Sequence, residues 1–497
     1  MACLLPCGAL FAQAPQPRLS RSAIRQARAI LLEMRDTALQ MPEPNEATGS
    51  PKEPSLLDIV SLYQDIGDAR SARETIKLIK TDSIRSVAWC MIAMAMSQHG
   101  NPTQGLVIVK AIPDSDYRER CFRDLADFQV EATNIGSSAI METVSLVADP
   151  AARVALLGQL AVRQAKAGKQ REAAQLFQRA MSTTEEINDE MWRLQALIGI
   201  ASDHSKAGDD ADARQTLLQL RRNIAVLRDA SNKRYLLHSL VKAQAQAGDY
   251  REALETVKAF ADWQSASSAL KNMIQEQLRK GDIENAISTV SQNSNMSDRD
   301  GLLLQIAEAQ AKKDDCTGVI RTASMVQYKS SSKEYIQKEI AGCQARAGQV
   351  EAALQTASDI TDPYIKADAL YEIGFALTKK GTRLCRHDVL QKAFETGVVA
   401  RDYSPNNLLH EIAWAQAECG DMDAARKTAA VIPDDMGKAE TMDSISYSQA
   451  NRGEVKQALA KAREERDPQV RFHALWGVVR ALTKTGSPPV RIWEGAL

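Results

Sequence analysis

A glycine recurs along most of this 497-residue chain at nearly constant spacing. The recurring positions are Gly67, Gly100, Gly168, Gly208, Gly248, Gly281, Gly348, Gly381, Gly420, Gly453 and Gly486. Most neighbours are 33 residues apart and the rest 39 or 40, while two longer gaps each hold one further unit, with turns expected near Ile135-Gly136 and at Asp314-Asp315. Repeats of this length are typical of solenoids, and glycine readily adopts the left-handed conformation that ends a helix.

The residues around each glycine predict two helices per repeat. Eleven and eight positions upstream stand large apolar residues, such as Leu409 and Ile412 before Gly420, and the seventh position upstream and the fifth downstream are small, as at Ala413 and Ala425. Steps of three and four residues place these side chains on one helix face, and the small ones let antiparallel helices approach closely. The pattern therefore predicts an all-α chain of about thirteen stacked helix hairpins.

This pattern resembles the tetratricopeptide repeat family over roughly residues 56–487. The sequence departs from the family in three ways: its Trp is mostly Leu, its closing Pro is irregular, and its Tyr is mostly Gln. These glutamines are Gln164, Gln244, Gln277, Gln344, Gln416 and Gln449. The resemblance implies a right-handed α-solenoid whose concave groove, lined by the first helix of each hairpin, binds a peptide or helix of a protein partner.

The chain begins with segments that do not repeat. Residues 1–14 carry a short apolar core and a small-x-small pattern at Ala12-Gln13-Ala14, which predict a signal peptide and an exported, periplasmic or secreted protein. The lack of Lys or Arg and the following Pro15 leave a cytoplasmic alternative open. An amphipathic helix is expected within residues 15–40, a Pro-rich linker over 41–55 and the repeat domain over 56–497.

Charge and cysteine content narrow the class of protein. Because 62 basic residues balance 63 acidic ones, the sequence lacks the positive charge typical of nucleic-acid binders. No apolar run approaches the roughly 20 residues that span a bilayer, so no integral membrane segment is expected in the mature chain. Of eight cysteines, the six beyond Cys7 are scattered singly, so we interpret them as buried thiols and leave inter-repeat disulfides as an alternative.

No catalytic or cofactor motif is present. The six histidines do not form a His-Glu-x-x-His pair, and phosphate-loop and nucleophile-elbow patterns are missing from the sequence. We therefore expect a non-catalytic protein-interaction scaffold without cofactor or metal. The alternative is an enzyme or carbohydrate-binding module with its site in an aromatic C-terminal groove.

The candidate binding residues lie ten and six positions before the turn glycines of the last four repeats. They are Tyr371 and Phe375, His410 and Trp414, Asp443 and Tyr447, and Trp476 and Arg480. Since equivalent positions on stacked hairpins lie side by side, the aromatic residues are expected to form one stripe along the groove, where aromatic and Arg side chains often dominate binding. Packing of the same rings as ordinary core remains the alternative.

One further motif, Asp followed four residues later by Arg or Lys, joins successive hairpins, as at Asp114 and Arg118 or Asp149 and Arg153. Asp is a favoured N-cap because its carboxylate accepts bonds from free backbone amides at the start of a helix. The motif therefore predicts where the first helix of each hairpin begins.

Overall fold

The computed structural model describes residues 19–41, 52–293, 298–326, 332–376, 384–400 and 406–483. Within these ranges every regular element is a helix, and one short 3₁₀ turn, Thr184–Glu186, follows α9. The α-helices are α1 Arg21–Leu39, α2 Lys52–Asp65, α3 Ala69–Ile76, α4 Asp82–Gln98, α5 Pro102–Lys110, α6 Ser115–Glu131, α7 Ser137–Val144, α8 Pro150–Lys166, α9 Gln170–Thr183, α10 Glu190–Lys206, α11 Asp210–Ala225, α12 Ala230–Gln246, α13 Tyr250–Val257, α14 Trp263–Arg279, α15 Ile283–Gln292, α16 Arg299–Lys312, α17 Cys316–Ala323, α18 Ser332–Arg346, α19 Val350–Ser358, α20 Pro363–Gly374, α21 His387–Val399, α22 Asn406–Glu418, α23 Met422–Ala430, α24 Asp435–Asn451, α25 Val455–Glu464 and α26 Pro468–Thr483. The predicted all-α array of helix hairpins is confirmed. No helix in these ranges is long and apolar enough to cross a membrane.

The turn glycines end the first helix of the hairpins as predicted. Nine of them have positive φ, from 71° at Gly248 to 91° at Gly453, and Asp314, at the turn expected without glycine, has a φ of 56°. The degenerate unit also turns where expected, since α6 ends at Glu131 and α7 begins at Ser137. Gly381 and Gly486 lie outside the described residues.

Four of the six recurring glutamines bind a threonine in the second helix of their own hairpin. Gln244 Oε1 accepts a hydrogen bond from Thr256 Oγ1 at 2.8 Å, and the same bond, twelve residues apart, joins Gln416 and Thr428 at 2.7 Å. Further pairs at this separation are Gln277–Thr289, Gln344–Thr356 and, at the turn without glycine, Gln310–Thr322. In these hairpins the glutamine is therefore a specific polar link between two packed helices, whereas Gln164 donates to Ser137 of the preceding hairpin.

The Asp of the motif caps the helix that follows it, and its basic partner donates a hydrogen bond to a backbone carbonyl in the connection before that helix. Asp149 accepts a hydrogen bond from the amide of Ala151 at 3.0 Å, while Arg153 Nη1 donates to the carbonyl of Val147 at 2.7 Å. Arg118 reaches back to Ile112 in the same way at 2.7 Å. The predicted capping is confirmed, and the cation additionally satisfies carbonyls that the ended helix leaves unpaired.

The helices form two compact units. One contains residues 89–302, and the other combines residues 15–88 with 303–497. In the second unit α1 packs against both α26 and α2. Helix α26 thus packs against a helix from the N-terminal part of the chain, and Ala27, Leu31 and Met34 of α1 are fully buried.

The predicted N-terminal boundaries need one correction. The helix expected within 15–40 is present as α1, but the linker predicted over 41–55 is too long, because α2 begins at Lys52. Pro54 is its third residue, where no intrahelical partner for a backbone amide exists and proline is tolerated. Residues 42–51, and the predicted signal peptide at 1–14, lie outside the described ranges.

The interpretation of the cysteines as free thiols is wrong. Three disulfides join successive hairpins: Cys90–Cys121 and Cys316–Cys343, each with Cα atoms 5.6 Å apart, and Cys385–Cys419 at 5.5 Å. Their offsets from the turn glycines differ, so the repeat pattern contains no signal for the pairing. Cys3 and Cys7 lie outside the described residues.

Candidate functional site

The predicted site residues lie on α20, α22, α24 and α26, all in the second unit, and an aromatic cluster joins the first two of these helices. The ring of Phe375, which follows the last residue of α20, is 6.4 Å from that of Tyr371 and 5.1 Å from that of Trp414, which it meets edge to face. Leu390 and Ala415 complete the buried part of the cluster. Such aromatic arrangements hold rings in defined orientations.

Polar contacts fix the outer members of this cluster. The Tyr371 hydroxyl donates to Glu411 Oε2 at 3.2 Å, across from α20 to α22. Burial, together with the charge of Glu411, raises the pKa of Tyr371 well above its usual value. One turn before Trp414, His410 Nδ1 lies 3.0 Å from Thr441 Oγ1 of α24. The partly exposed side chains of α20 and α22 are therefore held in place before any partner arrives.

A buried ion pair joins α24 to α26. Arg480 Nη2 donates to Asp443 Oδ2 at 3.0 Å, and the guanidinium carbon lies 4.7 Å from the centre of the Tyr447 ring. Burial raises the pKa of Asp443 to about 6, although Arg480 opposes the shift. Both charged residues are buried, which leaves Tyr447 as the partly exposed member of this group.

The structure divides the predicted stripe into two classes. Phe375, Asp443, Trp476 and Arg480 are buried, with exposed fractions of 4–8%. The partly exposed members are Tyr371, His410, Trp414 and Tyr447, which we call the aromatic patch. The expectation of one continuous exposed stripe is therefore wrong for Phe375 and Trp476, which pack as core, while binding by the aromatic patch stays a prediction.

Close helix packing explains the burial around α26. A Cβ atom added at Gly477 would lie 2.1 Å from the carbonyl oxygen of Asp443, so only glycine permits this approach of α26 to α24. On α26 itself the ring of Trp476 is 6.0 Å from that of Phe472, which is fully buried. Since α1 also packs against α26, the last helix of the array is covered from two directions.

A second set of polar residues, which the sequence analysis missed, flanks the aromatic patch. Lys338 Nζ lies 3.0 Å from a carboxylate oxygen of Glu339 and 3.3 Å from oxygens of Asp368 and Glu372. Burial opposes the ammonium, but these three carboxylates outweigh it and raise the pKa of Lys338. Burial raises the pKa of Glu372 to about 7 against the opposing charge of Lys338. A search for charged residues at a fixed distance from the turn glycine could have found Glu339 and Glu372, which both stand nine positions before it, but not Lys338 or Asp368.

One group among the described residues has the geometry for a metal ion. Ligand atoms of His204, Asp209 and Asp212, at the turn between α10 and α11, lie within 4.8 Å of one another. Each already has a structural explanation: His204 stacks on Phe177 at 3.9 Å, and Asp209 caps α11 by accepting the Asp212 amide at 3.4 Å. The arrangement is that of an ordinary helix cap.

No protein-family model matches this sequence, and no curated protein shows significant similarity to it. Solved structures with some likeness include Ton1535 from Thermococcus onnurineus NA1, at 16% identity over 85% of this chain and 99% of that one, with a TM-score of 0.26. The structure of Naa15/Naa10 bound to HypK-THB has 13% sequence identity over 84% of this chain and 70% of that one, with a TM-score of 0.29. The human IFIT1 dimer with PPP-AAAA has 12% identity over 80% of this chain and 98% of that one, with a TM-score of 0.23. These scores are too low to support further argument, so the helical-repeat class rests on this chain's own helices.

Proposed function

We propose that this protein is a non-catalytic scaffold of the tetratricopeptide type, which binds a peptide or helix of a protein partner at the aromatic patch. The supporting observation is the placement of Tyr371, Trp414 and Tyr447 on successive first helices, partly exposed and each anchored by contacts beneath it. Rigid aromatic side chains supply large contact area at little entropic cost, and such residues dominate many protein interfaces.

We also propose that the protein works outside the cytoplasm. Three disulfides support this, because disulfides persist in oxidising compartments and are rare in the reducing cytosol. The signal-like segment at residues 1–14 points the same way. Mass spectrometry of the native protein should find a mature chain beginning near Gln13 or Pro15. Recovery of intact residues 1–14 from the cytoplasm would contradict the proposal.

The binding proposal is tested by comparing two tryptophans. Partners captured from the native source by the wild-type protein should be lost with Trp414→Ala, because truncation of an interface anchor costs about 2 kcal/mol or more, roughly 30-fold in affinity. Trp192→Ala is the matched control, since Trp192 is 49% exposed but lies on α10, in the other unit. Equal capture by both variants would exclude the aromatic patch as the binding site.

A further inference from the structure

A row of glutamates runs beside the aromatic patch. The residue nine positions before the turn glycine is Glu339 on α18, Glu372 on α20 and Glu411 on α22, whereas the next two repeats have Ser444 and Gly477 there. We call these three residues the glutamate ladder. Because stacked hairpins bring equivalent positions side by side, a shared position in the repeat becomes a shared place on the surface.

Contacts in the second unit bring Glu339 and Glu372 together and connect Glu411 to this row through Tyr371. Lys338 bridges Glu339 and Glu372 at 3.0 and 3.3 Å, so the carboxylates of α18 and α20 are within reach of one ammonium. A Cβ atom added at Gly342 would lie 2.2 Å from Glu372 Oε2, which places that carboxylate directly against α18. Tyr371, adjacent to Glu372 in sequence, donates to Glu411 and continues the row to α22.

The ladder carries more negative charge than its internal cation neutralises. Lys338 lies among Glu339, Asp368 and Glu372, which makes three carboxylates for one ammonium. Glu411 adds a fourth carboxylate and is exposed to solvent. Burial is the main cause that raises the pKa of Glu372 to about 7, and Glu339 and Asp368 add to it against the effect of Lys338, so near pH 7 this group carries only part of a negative charge.

The adjacent repeats show how this fold holds a cation between a ring and a carboxylate. Arg480 lies 4.7 Å from the ring centre of Tyr447 and donates to Asp443 at 3.0 Å. The same two components, aromatic ring and carboxylate, meet at Tyr371 and Glu411, with Trp414 one turn of α22 away. A cation over an aromatic face is attracted by the electron density of the ring, and a carboxylate beside it fixes its position.

We propose that the partner segment is basic, and that it presents lysine or arginine side chains to Glu372 and Glu411 beside the rings of Tyr371 and Trp414. This inference rests on the proposed function of the aromatic patch and names the chemistry of its partner. Charge complementarity selects a cationic peptide over a neutral or acidic one, because an acidic segment would meet like charge at the exposed Glu411 and the partly exposed Glu372, while Glu339 is buried beside Lys338.

The probe is a fluorescein-labelled octapeptide of alternating arginine and alanine, compared with the same peptide carrying citrulline for arginine. Citrulline retains the shape and most hydrogen-bonding groups of arginine but has no charge. By fluorescence anisotropy at low ionic strength, the arginine peptide should bind at least tenfold more tightly, and added salt should weaken it. Equal binding of both peptides, or no binding of the arginine peptide, would overturn the inference.

Two variants locate the site and one serves as control. At pH 8, where Glu372 is mainly ionised, Glu411→Gln and Glu372→Gln should each weaken the arginine peptide at least threefold, since each removes negative charge and keeps the side-chain shape. Glu351→Gln on α19, where the glutamate is exposed on a second helix, should leave binding unchanged. The same affinity for the arginine peptide in all three variants would also overturn the inference of a basic partner.

Capture of the native partner tests the proposed function separately from the basic character of the partner. If the native partner is lost with Trp414→Ala but retained with Glu372→Gln and Glu411→Gln, the binding site stands and the basic partner is refuted. If neither Trp414→Ala nor the glutamine variants affect capture, both proposals fail together.

Discussion

At the scale of single residues, the recurring bond between glutamine and threonine decides how tightly two helices of a hairpin are joined. Gln244 and Thr256 are both nearly inaccessible to solvent, so neither group can exchange its partner for water. A buried polar group that loses its partner costs about 1–3 kcal/mol, whereas replacement of both partners by apolar groups is often nearly neutral. The repeated pair should therefore act as an all-or-none unit.

Thr256→Val tests this pair. The substitution should lower the free energy of unfolding by about 1–3 kcal/mol, because Gln244 Oε1 is left buried without its donor. The double variant Gln244→Leu with Thr256→Val should recover much of the loss, as measured by urea denaturation. Thr356→Val is a control in a less buried copy of the same bond, where water can replace the hydroxyl and the loss should be smaller. Strict additivity of the two single substitutions would contradict the proposed coupling.

The two tryptophans of the predicted stripe should contribute very differently to the free energy of unfolding. Trp476 is 4% exposed and packs beside Phe472, so Trp476→Ala should cost about 3–5 kcal/mol of folding stability through loss of buried area and cavity formation. Because Trp414 is partly exposed, Trp414→Ala should lower the free energy of unfolding clearly less. Thermal unfolding of both variants decides the matter, and a Trp476→Ala protein as stable as the wild type would mean that this ring is not core.

At the scale of elements, helix α1 packs against α26, a helix that is distant from it in sequence. Helix α26 packs against α1 as well as against α24 and α25. Leu31 is fully buried in this contact, and Arg463 of α25 binds Glu33 through two hydrogen bonds of 2.8 and 3.0 Å. The first helix thus stabilises the last repeat.

Two adjacent leucines of α1 provide a matched test of this role. Leu31→Ala should destabilise the protein by about 2–5 kcal/mol, since a fully buried leucine is removed from the contact. Leu32, 41% exposed on the other face, should tolerate alanine with a change of less than about 1 kcal/mol. Similar losses for both, measured by chemical denaturation, would show that α1 is not docked as described.

The disulfides are the second set of links between elements. Cys316–Cys343 closes a loop with a sequence separation of 27 residues, between a second helix and the first helix of the next hairpin. Replacement of both cysteines by serine should cost about 2–4 kcal/mol, mainly because the unfolded chain gains freedom. The measured quantity is the free energy of unfolding with and without reductant. A reductant that leaves the wild-type protein unaffected would contradict a stabilising role.

The sequence predicted correctly the turns and helix starts that depend on interactions within a single hairpin. A glycine that must adopt positive φ, an Asp that caps a helix and a small residue at a helix contact each act within one hairpin, so the turns and helix starts could be read from the residues. The docking of α1 on α26 and the pairing of Cys90 with Cys121 join distant parts of the chain without a shared offset. Burial of Trp476 follows from the same docking and from Gly477, which the repeat pattern treats as an ordinary position.

At the scale of the whole molecule, buried carboxylates make stability depend on pH. The pKa of Glu372 is raised to about 7 and that of Asp443 to about 6, in both cases mainly by burial. A carboxyl group with a raised folded-state pKa contributes stability that is fully present below its unfolded value, near 4, and is lost as the pH rises through its folded value. These two groups therefore favour the folded state more at pH 5.5 than at pH 8.

His473 acts against this trend. Burial, reinforced by Arg480, lowers its pKa to about 4, so below pH 6.5 the unfolded chain binds a proton that the folded protein excludes. The effect of His473 falls between pH 6.5 and 4, whereas the Glu372 contribution changes between about pH 4.5 and pH 7. The two windows overlap, so only the pH range above 6.5 reports on Glu372 without a contribution from His473.

We therefore expect the midpoint of thermal unfolding to rise as the pH is lowered from 8 to 6. One proton changes the unfolding free energy by at most about 1.4 kcal/mol per pH unit, so the Glu372 contribution over this range is on the order of 1 kcal/mol. Glu372→Gln replaces the carboxyl group by a permanently neutral one and should flatten the profile between pH 8 and pH 6, while Glu351→Gln at an exposed position should leave its slope unchanged. A wild-type midpoint that falls from pH 8 to pH 6, or an unchanged slope in Glu372→Gln, would show that this carboxyl group does not govern the response, because neither result is compatible with a proton bound more tightly in the folded state.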